Sequence, residues 1–188
     1  MKTRMLSTLS LAWLGLLLGA PNAFAEGYRG VAAGSSCSEI SRIEQARGAR
    51  LVYDAPVGSV RSMSFSTSSD GDPGVIAYRC GKRGTRRFFR FSAKDEASAR
   101  EVAERQQAVV ERDLGVGDGD SLGSALAPCW QEQLGLPAES GDTAMQGAWA
   151  RDGQAAAVYR QRIAGAGDVW VIGVVVMDLS ADACSGTP

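Results

Sequence analysis

The sequence predicts an α+β fold: two antiparallel three-stranded units, each preceded by a short helix, joined by one long helix and stabilised by disulfides. Three observations carry this expectation. Strand-like segments fall into two groups, before and after residues 92–115, and those intervening residues have a helical apolar period. Four cysteines, Cys37, Cys80, Cys129 and Cys184, are spread along a chain that opens with an export signal.

At the N-terminus, Lys2 and Arg4 precede an apolar stretch from Leu9 to Ala20. "NAFAE" then places Ala23 and Ala25 at the small-residue positions of a cleavage site. Residues 1–25 read as a secretory signal peptide and 26–188 as a single mature domain, soluble in the periplasm. The leader's apolar core falls short of the roughly 20 residues that span a bilayer, and "VWVIGVVVMDL" is shorter and ends in Asp178, so no stable membrane insertion is expected. The first cysteine stands well beyond the leader, which argues against a lipid anchor. Lys2 and Arg4 leave with the leader, so 18 basic residues face 21 acidic ones in the mature chain.

"SSCSEISRIEQARG" predicts a short helix, with Ser36 as N-cap, Glu39 completing a capping box, an apolar stripe of Cys37, Ile40 and Ile43, and Gly48 as the stop. "RSMSFSTS" alternates strictly, Met63 and Phe65 on one face and Ser62, Ser64, Ser66 and Ser68 on the other, as a half-buried strand does. "SDGDPG" is turn chemistry, and "VIAYRC" and "TRRFFRF" form a hairpin around "GKRG". In residues 92–115 Ser92 is the expected cap, Gly115 the end, and Ala99, Val102, Ala103, Gln106, Val109 and Val110 the buried stripe. Glu96 with Arg100 and Glu101 with Arg105 form exposed pairs along it.

"GVGDGDSLGSA" is a connector, and "LAPCWQEQLG" a second short helix. "TAMQGAWAR" and "QAAAVYRQRI" flank Asp152 and Gly153, suited to a two-residue hairpin turn. "VWVIGVVVMDL" is continuously apolar, as a central strand covered on both faces is. The shared order of helix, strands and cysteines makes 36–91 and 126–184 a candidate pseudo-repeat.

Exclusion shapes the functional expectation. There is no histidine, so the commonest general base is missing. The only mature lysines, Lys82 and Lys94, lie in no S-x-x-K sequence. "DGDSLG" and "DGDPGV" both fail the calcium-loop pattern. In an exported chain the cysteines read as two disulfides rather than a metal site. Cys37 with Cys80 and Cys129 with Cys184 is one of three connectivities that the sequence leaves open.

No enzyme, cofactor, metal or nucleic-acid partner is expected. The expectation is a binding protein, foremost an inhibitor or immunity protein that neutralises a periplasmic wall-degrading hydrolase or toxin by loop insertion. The alternative is an envelope module that holds an anionic group, lipid phosphate or wall polymer, on an arginine-rich hairpin; an enzyme of unfamiliar type stands third.

The partner-binding candidates are Ser66, Ser68, Ser69, Asp70 and Asp72 around one loop, and Arg79, Arg86, Phe88 and Arg90 on the hairpin. Pairing Cys80 with Thr85 across "GKRG" sets Arg79 directly opposite Arg86. Like charges so placed destabilise a sheet unless carboxylates of this chain, or of a partner, neutralise them.

Overall fold

The computed structural model describes residues 27–81, 84–115, 142–151, 153–164 and 169–178. The leader, the connector after Gly115, the second short helix, Cys129, Cys184, Lys82 and Arg83 lie outside the described residues. The helices are α1 (Cys37–Ala46) and α2 (Glu96–Leu114), and a single 3₁₀ turn covers Tyr28–Gly30. The strands are β1 (Arg50–Val57), β2 (Val60–Ser69), β3 (Asp72–Gly81), β4 (Gly84–Ala93), β5 (Thr143–Arg151), β6 (Gln154–Ile163) and β7 (Val169–Asp178).

All seven strands form one antiparallel sheet in the order β1-β2-β3-β4-β7-β6-β5. The expectation of two separate three-stranded units is thereby overturned, and β7 supplies the reason. In a β5-β6-β7 meander, "VWVIGVVVMDL" would be an edge strand with its apolar residues and backbone groups open to water. Pairing β7 with β4, from Ala93 opposite Trp170 to Arg86 opposite Met177, closes two edges at once. Ile172 through Val176 are then buried whichever way they point. The first group also holds a fourth strand: β1 carries Pro56 and is exposed almost throughout, so its sequence shows no alternation.

The helical elements lie on one face of the sheet. Met63, Phe65, Ile76, Tyr78, Phe89, Phe91, Ile172, Val174, Val158 and Trp149 point to that face and share a core with Ile40 of α1 and Ala99, Val102, Ala103, Val109 and Val110 of α2. The stripe expected on α2 is the buried one, Gln106 included. Ser36 caps α1 in a full capping box. On α2 the cap is Asp95 rather than Ser92, because β4 runs on through Ala93. Cys37 and Cys80 form a disulfide, tying the start of α1 to the end of β3 across a sequence separation of 43. Closing a loop of that size stabilises by about 4 kcal/mol in the chain-entropy view. No helix among the described residues is long and apolar enough to cross a membrane.

A polar network runs through this core. Glu44 of α1, fully buried, takes two hydrogen bonds from the Arg29 guanidinium, Nε to Oε1 at 3.0 Å and Nη2 to Oε2 at 2.9 Å. Tyr78 of β3 donates to the same carboxylate. Arg29 has left-handed backbone angles (φ 56°, ψ 35°) and its guanidinium carbon lies 5.1 Å from the centre of the Phe89 ring. Its amide donates to Asp113 of α2 at 2.9 Å. Five residues on from Arg29, the Gly34 amide donates to Asp178 of β7, which also accepts from the Thr85 amide and Arg87. Gln154 of β6 donates to the Val31 carbonyl and accepts from the Tyr28 amide. The segment from Gly27 to Ser36 is thus laced to α1, α2, β4, β6 and β7.

Removing one partner of a buried, bonded charge pair leaves the other uncompensated, at a cost of about 3–5 kcal/mol. Glu44→Gln should lower unfolding stability by that order, and Tyr78→Phe, which costs one hydrogen bond, by roughly 1–2 kcal/mol. Urea denaturation of the two variants checks the order; equal, small losses would show that the network does not hold the segment.

Candidate functional site

The opposite, outer face of the sheet is built by strand parity. On β2 the residues between Met63 and Phe65 and their neighbours, Ser62, Ser64, Ser66 and Ser68, point outward. Their partners on β3 are Arg79, Ala77, Val75 and Pro73, and the next residues across, on β4, are Arg86, Phe88 and Arg90. Three rows cross these strands: Ser62–Arg79–Arg86, Ser64–Ala77–Phe88 and Ser66–Val75–Arg90. Adjacent strands lie about 4.8 Å apart, so hydroxyls, small apolar groups and guanidiniums form parallel lanes. On β7 and β6 the same rows continue into Met177, Val175, Gly173, Ala157 and Tyr159. The Tyr159 ring covers Gly173, where a side chain would collide with it.

The hairpin register has Cys80 opposite Thr85 and Arg79 opposite Arg86, as the turn spacing predicts. Among the described residues no carboxylate lies within ion-pair distance of Arg79, Arg86 or Arg90. Three of the described acids are engaged elsewhere. Asp72 binds Arg105 at 2.8 Å, Asp54 binds Arg61, and Glu96 binds Arg100. Arg105 therefore serves the β2–β3 turn and not Glu101. Arg86 is half-buried with its guanidinium carbon 5.3 Å from the centre of the Phe88 ring, a cation–π contact. Burial lowers its pKa, and the neighbouring Arg79 pushes the same way. Two cations held side by side, one of them partly dehydrated, have electrostatic energy to recover from an anion.

Of the nine candidates, the structure gathers Ser66, Ser68, Arg79, Arg86, Phe88 and Arg90 on this one face, and Ser62 and Ser64 join them by alternation. The other three lie at the β2–β3 turn. Asp70 and Gly71 are its two left-handed residues (φ 50° and 88°), the two-residue hairpin turn that Asp-Gly favours. Ser69 is buried, its carbonyl accepting from Gln106, and Asp72 is held by Arg105 and Gln106. Only Asp70 and Gly71 project freely; the loop is a short, braced tip.

Arg87 belongs to the other face. It is fully buried and donates to the Ala32 carbonyl and to Asp178. The signal for this was present: Tyr78 and Phe89 facing inward force Arg87, opposite Tyr78, inward too. No group of three or more His, Cys, Asp or Glu side chains among the described residues is placed to hold a metal ion. Comparison with protein-family models, curated proteins and solved structures gave no match.

Opposed like charges cost a sheet roughly 0.2–1 kcal/mol. Arg79→Glu, which converts the pair with Arg86 into opposite charges, should therefore raise the urea midpoint at unchanged slope. A lowered midpoint would mean that the two arginines are already neutralised in the free protein.

Proposed function

We propose that the chain is a non-catalytic binding protein of the cell envelope that holds an anionic ligand against the outer face of β2, β3 and β4. The observation that carries this reading is the Arg79–Arg86 pair, directly opposed across two strands, with Arg90 further along and no carboxylate of the described residues against any of them. A stability cost retained on an open surface is what a binding site carries. Arginine suits the task, since its planar fork matches phosphate and carboxylate oxygens. The export leader argues for the periplasm, and the Cys37–Cys80 disulfide is compatible with an oxidising compartment outside the cytoplasm.

A second reading, inhibition of a wall-degrading hydrolase or toxin by loop insertion, is favoured by the braced Asp70–Gly71 tip. Asp72, clamped to Arg105 and Gln106 of α2, stiffens that tip from behind, and pre-organised loops bind at lower entropic cost.

Both readings are tested on the mature protein against anionic lipid vesicles, wall polymer and a panel of wall hydrolases. Binding through the arginine face should weaken steeply with salt. Arg79, Arg86 and Arg90 changed together to Gln should lose about tenfold or more in affinity, with most of the salt dependence. Unchanged affinity and salt response in that variant would make the hairpin structural only. Hydrolase inhibition that survives the triple change and disappears with Asp70→Ala would move the function to the tip.

A further inference from the structure

Resting on the anion-binding reading, we infer that the outer face is a two-point site for a linear phosphodiester polymer running along β4, one phosphate held by Arg79 and Arg86 and a second by Arg90. Arg79 and Arg86 are directly opposed, so their Cα atoms are about 4.5–5.5 Å apart. Both guanidiniums can then donate to one tetrahedral phosphate, each through its own edge. Arg90 points the same way from the same strand four residues on, which at about 3.4 Å per residue places it about 14 Å from Arg86. Between the two points lie Phe88 and Ala77, paired across the strands and uncharged. The middle of the site is made for a linker.

The neighbouring lane completes the match. Ser62, Ser64 and Ser66 present hydroxyls on every second residue of β2, able to donate to phosphodiester oxygens. A folded protein partner would need desolvated apolar anchors at its centre. Along these rows the exposed large apolar side chains are Val75, at 45%, beside Arg90, and Tyr53 of β1, opposite Ser64, and neither stands between the two arginine points. Charges in line, an apolar gap and a hydroxyl lane favour an extended ligand.

The test is a molecular ruler. Alkane-α,ω-bisphosphates of increasing chain length, with methyl phosphate as the single-point reference, are titrated calorimetrically into the mature protein at low salt. Bisphosphates long enough to reach about 14 Å should bind at least about tenfold more tightly than methyl phosphate or the shortest bisphosphate, because the second contact becomes intramolecular. Arg90→Gln should return the long ligand to the affinity of methyl phosphate and leave methyl phosphate unchanged. Affinity that follows charge regardless of length, or an Arg90→Gln variant that weakens methyl phosphate equally, overturns the two-point site while the anion-binding reading stands. If none of these ligands binds and a wall hydrolase does, both fall together and the loop-insertion reading takes their place.

Discussion

The helical side of this protein depends on one carboxylate. Glu44, on α1, accepts from Arg29 in the N-terminal segment and from Tyr78 in β3, so a helix, a strand and an irregular segment meet at two oxygen atoms. A buried ion pair is weak support for stability in itself, since apolar residues of the same volume often do as well. Its force lies in the alternative: any arrangement that separates these groups leaves a charge in the core. Arg29 is held in a left-handed conformation, flanked by Gly27 and Gly30 at φ 68° and 63°, and such strain persists only where surrounding bonds over-determine it. The hydrogen bond from its backbone amide to Asp113 and the guanidinium contacts with Glu44, Ser68 and Thr67 are those bonds. Burial pushes the phenols of Tyr28 and Tyr78 well above their ordinary pKa, and the Glu44 carboxylate adds to this at Tyr78. Both remain protonated, so Tyr78 stays a donor to Glu44.

A second joint does for the sheet what Glu44 does for the helices. Asp178, the last residue of β7, gathers the Gly34 and Thr85 amides, Arg87 and Gln154. It thereby fixes the β4–β7 seam at one end and pins the N-terminal segment over it. Without that seam β4 and β7 would be two open apolar edges; with it the two meanders become one layer, and α2 crosses a single surface that includes β4, β5, β6 and β7.

Local chemistry was legible in the sequence where one residue decides it. The capping box at Ser36, the left-handed Gly115, the Asp70–Gly71 turn and the registers of two hairpins all follow from short-range rules. The single sheet was not, because the meeting of β4 and β7 depends on no local signal; only the continuous apolarity of β7, which demands neighbours on both sides, hinted at it. β1 escaped because a strand exposed on both faces does not alternate. Buried charges escaped for a different reason: Arg29, Glu44 and Arg87 look like surface residues in composition. Periodicity alone would have exposed two of them. Glu44 shares a helical face with Cys37 and Ile40, and Arg87 shares a strand face with Phe89.

That last point explains how a slightly acidic chain comes to own a basic surface. Arg86, Arg87 and Arg90 lie within five residues of one strand, yet the pleat sends Arg87 inward to Asp178 and the other two outward. Four acids at the core or against the helices meet a cation there: Glu44 with Arg29, Asp178 with Arg87, Asp72 with Arg105, Asp113 with Arg112. Among the described residues no carboxylate compensates the hairpin's positive charge on the face opposite α1 and α2, and the same alternation of two that builds the core also sorts these arginines into one that holds the fold and two that point away from it.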